Sequence, residues 1–331
     1  MSATLDRRRV ILIAGAAAGL GALPFAARAT QNKPPIYHWR GAALGAQAEI
    51  ILAHPDKRQA ERIIAACLAE IDRLEDVFSL YRPSALAALN QAGVLRNPPA
   101  ELVEVLSQAR LVSQASAGAF DVTVQPLWTL YVDAFTAAGN RPPSAAMLAN
   151  TRARVDYRAL HIEPGEIRFT RPGMAVTLNG IAQGFITDRV AELLRAEGVS
   201  DILLELGEIR ALGHHPQGRP WRAGIADPQA PDTTVRTIDL TDRALATSGG
   251  YGARFDAAGR YHHLFDPATG EPADHYRSVS ILAPTATLAD ALSTALYVLP
   301  PARAAASLAA FDDVGGFFIL KDGSTRAISF T

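Results

Sequence analysis

Three stretches of the chain carry side chains or turns able to do chemistry. The first is Asp290 with Ser293 and Thr294, in Leu288-Ala289-Asp290-Ala291-Leu292-Ser293-Thr294-Ala295-Leu296. On a helix, positions i and i+4 share a face and i+3 flanks them. One carboxylate and two hydroxyls therefore converge from a single turn, and an all-oxygen set suits a hard cation such as magnesium. The same pattern ordinarily marks a solvated face or a cap. Here the neighbouring residues are Leu and Ala nearly all round, so the helix is expected to be buried. A buried carboxylate needs a partner. No Lys or Arg lies within a helical turn, and a metal ion would satisfy it.

The second stretch is Leu178-Asn179-Gly180-Ile181-Ala182-Gln183-Gly184, between an expected strand and an expected helix. Such a turn presents free N–H groups where anions are favoured, although an ordinary tight turn reads the same way. Its glycine spacing is neither the dinucleotide fingerprint nor a P-loop with its lysine. The third combines Thr247-Ser248-Gly249-Gly250-Tyr251 with His262-His263-Leu264-Phe265-Asp266-Pro267-Ala268-Thr269-Gly270. A regular strand would send the rings of His262 and His263 to opposite faces, so both cannot enter one site. There is no zinc-type Cys/His spacing, no H-E-x-x-H and no G-x-S-x-G elbow.

The elements that must hold these stretches follow from periodicity. His38 to Leu52 reads as a strand pair bent at Gly41 and Gly45. Asp56 to Phe78 sets Ile63, Ile64, Cys67, Leu68, Ile71 and Leu74 along one helical face. Further helices are expected over 99–117, 124–137, 181–197, 286–297 and 302–311, with Gly118 and Gly198 as stops. Ile162 to Phe169 predicts a hairpin turning at Pro164-Gly165. Other strands are expected at 174–178, 202–206, 221–225, 234–240, 244–247, 261–265 and 278–283, and 316–320 with 326–330 closes a hairpin. Strands and helices mix without βαβ alternation. The expected fold class is therefore α+β: a single mixed domain with a largely antiparallel sheet and packed helices.

Lys plus Arg (32) and Asp plus Glu (33) cancel to a net charge of -1, which predicts no general attraction to nucleic acid. Cys67, the only cysteine, excludes an intrachain disulfide framework and reads as a core residue. Residues 1–29 read as an address. Arg7-Arg8-Arg9 precedes an apolar run that ends by Leu23, and Ala27-Arg28-Ala29 supplies an A-x-A cleavage site. The arginines followed by Val10, Ile11 and Leu12 resemble a twin-arginine signal. A leader over 1–29, a working domain over 30–331 and a periplasmic location are expected, with no membrane span after cleavage; an uncleaved anchor is the other reading.

The three stretches also stand in an order that resembles the ApbE-type FAD:protein FMN transferases, from about Gly41 to the C-terminus. Phe78-Ser79-Leu80-Tyr81-Arg82-Pro83 with Leu89-Asn90 is similar to F-S-x-Y-x-P…L-N, and Ala119 to Leu127 is similar to A-F-D-x-T-V-x-P-L. Leu178 to Gly184 resembles L-G-G-I-A-K-G, and Ala246-Thr247-Ser248-Gly249 with His263 to Gly270 resembles A-T-S-G and H-I-I-D-P-x-T-G. Leu288 to Leu296 is close to L-A-D-A-L-A-T-A-L. The resemblance implies an α+β fold and FAD as substrate. It implies Mg²⁺ on the diphosphate, and transfer of FMN to a Thr or Ser of an acceptor flavoprotein with release of AMP. By position, Asp290 and Thr294 would be metal ligands, with Ser293 alongside and the Gly180 carbonyl completing the set. Flavin-nucleotide contacts would fall on Leu44, Tyr81, Ala119, Phe120, Asp121, Thr177, Gln183 and Leu264. His263 would stand near the reacting phosphate as the base.

The chain also departs from the family pattern. Thr177 stands for the usual Asp, Asn179 for a glycine, and Gln183 for the usual Lys or Glu. Leu44-Gly45-Ala46 replaces M-G-T, and Glu205-Leu206-Gly207-Glu208 is a glycine shorter than N-L-G-G-D. These departures resemble the NosX branch, which implies a membrane-attached, NosR-like acceptor in nitrous oxide respiration. Thr177 and Gln183 motivate one alternative, a non-catalytic FAD-binding or delivery protein; the same metal site with water as nucleophile gives another, a Mg²⁺-dependent FAD pyrophosphatase.

Overall fold

The computed structural model describes residues 34–43, 46–136 and 141–330. The expected leader and Leu44 lie outside them. Strands β1 (Ile36–Ala43) and β2 (Ala46–Ala53) form the expected antiparallel pair. Helix α1 (Lys57–Phe78) begins where the Asp56 carboxylate accepts from the Arg58 and Gln59 N–H groups, and it buries Ile63, Cys67, Ile71 and Leu74. Then come α2 (Ala85–Ala92), β3 (Val94–Arg96), α3 (Ala100–Ala115), α4 (Gln125–Thr136) and α5 (Ala145–Arg152). The hairpin β4 (Leu160–Glu163) and β5 (Glu166–Phe169) joins β3 in a small sheet. Helix α6 (Ala182–Ala196) leads to β6 (Ile202–Glu205), β7 (Ile209–Leu212), β8 (Trp221–Asp227), β9 (Ala230–Leu240) and β10 (Ala244–Ser248). The chain closes with β11 (Tyr276–Ala283), α7 (Ala286–Val298), α8 (Pro301–Leu308), β12 (Gly315–Leu320) and β13 (Thr325–Ile328).

The main sheet has eight strands in the order β1-β2-β6-β7-β10-β11-β12-β13, and every neighbouring pair is antiparallel. Side chains alternate between its faces. Ile50, Leu52, Ile202, Leu204, Ala246 and Ile281 pack under the helices. Ile51, Leu203, Leu245, Leu282 and Phe317 pack under the β8–β9 hairpin through Trp221, Ile225 and Ile238. This double burial explains the near-continuous apolar runs in the strands. A third cluster joins α4 and α5 to Phe265. The α+β expectation holds.

Helix α7 is buried nearly all round, between α6 on one side and β10 and β11 on the other. Its amino end is held from α6: the Asp188 carboxylate accepts from Ala286 N–H (2.9 Å), Thr287 N–H (2.8 Å) and the Thr287 hydroxyl (2.6 Å). Favourable charge at a helix amino terminus adds to those bonds. The helices touch backbone to backbone at Gly184, where a Cβ would overlap the Ala286 carbonyl and sit 2.8 Å from Asp290 Cβ.

Two expected strands are not strands. Residues 174–178 are extended but join no sheet. Val176 exchanges hydrogen bonds with the Asn90 side-chain amide at both its N–H (2.7 Å) and its carbonyl (2.8 Å), and Thr177 N–H donates to the Val122 carbonyl (2.8 Å). One side-chain amide thus replaces a partner strand. Residues 261–265 make only single bridges, Arg254 with His262 and Phe265 with Pro272. The short elements α2, β3, α5 and β7 went unseen because three to eight residues carry too little periodicity. Among the described residues no helix is long and apolar enough to cross a membrane.

The Gly184 crossing yields a stability prediction. Alanine is the better helix former by about 1 kcal/mol, yet overpacking costs about 1–3 kcal/mol. Gly184→Ala is expected to lower the urea midpoint; an unchanged or raised midpoint would mean the helices do not meet there as described.

Candidate functional site

A cleft of about 950 Å³ opens between the α6–α7 pair, the loop 119–125 and the loops after β10. The turn 178–181 lies at its base, where Ala182 N–H donates to the Leu178 carbonyl (2.8 Å) and starts α6. Gly180 is required there by close approach. A Cβ on it would sit 2.8 Å from Thr294 Oγ1 and 3.3 Å from the Phe120 ring. The wall at 119–125 is set by Asp121, whose carboxylate accepts from Thr123 N–H (2.8 Å), the Thr123 hydroxyl (2.6 Å) and Tyr157 N–H (2.9 Å). Burial pushes the Asp121 pKa up while those bonds pull it down.

Two further carboxylates, Asp290 and Glu208, line the cleft, and both are buried. Asp290 Oδ2 accepts from the Gly184 N–H (3.0 Å). Burial raises its pKa to about 7, opposed by that bond and aided by Asp188. Glu208 is pushed well up by burial and then by Asp290, against a bond from the Thr247 backbone. Among the described residues, no Lys or Arg lines the cleft. Two buried acids facing one space without a cation is a costly arrangement. The donors around it are the Asp290 carboxylate, the Thr294 hydroxyl and the Gly180 backbone, all oxygen, which fits magnesium. Among the described residues no group of three or more His, Cys, Asp or Glu gathers. A cation here would therefore draw on hydroxyl, carbonyl and substrate oxygens, as magnesium commonly does.

His263 also lines the cleft. Its Nδ1 lies 3.3 Å from the Ala253 carbonyl. A carbonyl cannot donate, so Nδ1 carries the proton and Nε2 keeps its lone pair. Part of the ring edge is wetted by the cleft, but the protein packed around it lowers its pKa to about 4. It is a neutral imidazole at pH 7. His262 turns the other way, as the alternation argument required, although the backbone is not a strand. Its ring fills the space beside Gly250 and lies edge-on to Tyr297, 5.9 Å between centroids. The Tyr297 hydroxyl donates to the Tyr276 carbonyl (3.0 Å) and accepts from Gly250 N–H (3.2 Å), pinning the 249–250 loop.

Of the residues singled out in the sequence, Ala119, Phe120, Asp121, Thr177, Gly180, Gln183, His263, Leu264, Asp290 and Thr294 all line this one cleft. Gln183 is buried and packs against Gly207, whose φ of +94° and close contact both exclude a side chain. Ser293 is buried at 1% exposure and does not line the cleft; its hydroxyl bonds Ser248 (2.7 Å) and the Asp290 carbonyl (2.9 Å). Tyr81 is 48% exposed and is not among the lining residues. Sequence reasoning missed Glu208, Trp128, Gln125 and Val298 as lining residues. For Glu208 a signal existed: an acid at the end of a buried strand, after a glycine.

Residues 44–318 match the ApbE family model. The chain is 34% identical to an FAD:protein FMN transferase of Treponema pallidum, covering 82% of this chain and 81% of that protein. It is 35% identical to one of Vibrio cholerae, over 71% and 73%. Among solved structures, the apo form of the Pseudomonas stutzeri flavinyl transferase ApbE superposes with a TM-score of 0.80 at 28% identity, covering 90% of this chain and 96% of that one. An ApbE protein of Thermotoga maritima also gives 0.80, at 27% identity, over 88% and 96%. Matched through most of its length by sequence and by fold, the chain belongs to the ApbE family.

Proposed function

We propose that this protein transfers FMN from FAD to a threonine or serine hydroxyl of an acceptor flavoprotein, with magnesium at Asp290 and Thr294. The observation that carries the reading is the pair of buried acids, Asp290 and Glu208, in a cleft that, among the described residues, no Lys or Arg lines. A cation between them would favour their ionised forms and offset the repulsion between those carboxylates and a diphosphate. The family membership and the names of the relatives supply the substrate class.

Magnesium held by Asp290, Thr294 and the Gly180 carbonyl would neutralise charge on the diphosphate. Gly180 and Gly184 let the turn and α6 close onto α7 beside Thr294 and Asp290. His263 Nε2 accepts the proton of the attacking hydroxyl. The hydroxyl oxygen bonds the FMN phosphorus, the bridging P–O bond breaks, and AMP departs with that oxygen. Positioning and charge stabilisation supply most of the rate in such transfers. Thr177 and Gln183, in place of charged residues, leave the cation as the main positive charge at the nucleotide. We further propose a periplasmic site of action, from the twin-arginine-like leader, and a membrane-attached NosR-like acceptor. The retained Asp290 and Thr294 weigh against a mere delivery protein.

The test is acceptor mass. Incubated with FAD, Mg²⁺ and an acceptor domain bearing an exposed threonine, the wild type should add one FMN and release one AMP. Asp290→Ala should lower the rate by about a hundredfold or more, the scale of a lost electrostatic stabiliser. Free FMN formed at the same rate without acceptor would favour the pyrophosphatase instead.

His263 gives a pH prediction. Its free-enzyme pKa of about 4 lies below the usual 6.5. With Mg²⁺ saturating, so that the cation keeps Asp290 ionised, the acid limb of kcat/KM should therefore fall near 4 to 5, and a limb that stays near 6.5 would contradict the assignment. The folded chain binds this proton less readily than the unfolded one, so stability is lost as pH drops from about 6.5 toward 4. His263→Gln should flatten that loss, seen as a smaller drop in thermal midpoint.

A further inference from the structure

We infer that Ser248 and Ser293 are positioning residues that hold the Thr294 hydroxyl as a hydrogen-bond acceptor toward the cleft, and so set the cation affinity of a site that Ser293 does not reach. The inference rests on the magnesium reading above and on a count of hydroxyl protons.

Three hydroxyls and one carbonyl form a chain. Ser293 Oγ lies 2.9 Å from the Asp290 carbonyl. The carbonyl can only accept, so the Ser293 proton is committed to it. Ser248 Oγ lies 2.7 Å from Ser293 Oγ. With the Ser293 proton already used, Ser248 must be the donor. Ser248 Oγ also lies 3.2 Å from Thr294 Oγ1, the longest link of the chain. The single Ser248 proton is committed too, so this link is donated by Thr294. The Thr294 proton is therefore directed at Ser248, which also lines the cleft, and the Thr294 lone pairs are left for a cation. Without the chain the hydroxyl would be free to rotate its proton inward, against a cation.

The carbonyl that ends the chain belongs to Asp290 itself, so one turn of α7 supplies the carboxylate, the terminus of the relay and the oriented hydroxyl. The family pattern L-A-D-A-L-A-T-A-L has Ala at the position of Ser293. With Ala there, Ser248 would be free to donate to Thr294 and the polarity would reverse.

Mn²⁺ binding to the flavin-free full-length protein, counted by the paramagnetic resonance of free Mn²⁺, tests this without any turnover. Ser248→Ala and Ser293→Ala should each weaken binding about five- to tenfold, the scale of one hydrogen bond. Because the chain acts as one unit, the double variant should lose no more than either single variant. In a Thr294→Val background neither substitution should cost anything further. Losses that multiply in the double variant, or that persist in the Thr294→Val background, would overturn the inference, as would single variants that bind like wild type. If Ser248→Ala fails to fold, Ser248→Cys keeps most of the volume with a poor donor and should show the same loss. A wild type that binds no Mn²⁺ either alone or with FAD added would overturn the metal reading itself, and the relay with it.

Discussion

The close crossing of α6 and α7 is the constraint on which the rest of this molecule depends. Gly184 lets the two backbones meet, and the Gly184 N–H then holds the Asp290 carboxylate at the cleft floor. The contact is fixed from the other side by Asp188, which caps α7 from α6 and is itself paired with the buried Arg210 at 3.5 Å. An acid in that position is expensive, because burial opposes its charge. The second buried acid, Glu208, makes it more so. The fold tolerates the pair through what it leaves open: a cleft with oxygen donors and room for a diphosphate.

The loops around that floor are each held by a buried polar group with defined partners. Asp121 organises the 119–125 wall, Asn90 replaces a strand beside 174–178, and Tyr297 ties the 249–250 loop to β11. Such satisfied networks give rigidity that apolar loops would lack. His263 joins the acids in one cleft from a different part of the chain, and the lining residues are drawn from Ala119 to Val298.

Much of this was legible in the sequence, for identifiable reasons. The apolar surroundings of Asp290 announced a buried carboxylate without a partner, and the long amphipathic α1 could be read from spacing alone. The convergence of Phe120, Gln183, His263 and Asp290 on one cleft could be expected only from the family resemblance, because periodicity carries no information about which loops meet. Residues 174–178 and 261–265 have strand composition, but their backbone partners are a side chain and single bridges, contacts no local pattern encodes. Ser293 has helical spacing toward the cation site, yet its hydroxyl is drawn inward by Ser248 and the Asp290 carbonyl. Glu208 carries a local signal, an acid after a glycine at the end of a buried strand, but its pairing with Asp290, 82 positions away, is not in its own segment.

The central claim is that the buried acids make nucleotide binding depend on a divalent cation. The most direct measurement is the affinity of the flavin-free protein for FAD, followed by flavin fluorescence, with Mg²⁺ present and after chelation. The account predicts that chelation weakens FAD binding by about tenfold or more, a coupling of ordinary size between two linked ligands. Equal affinity in both conditions would show that Asp290 and Glu208 do not require a cation to admit the diphosphate, and would contradict the account.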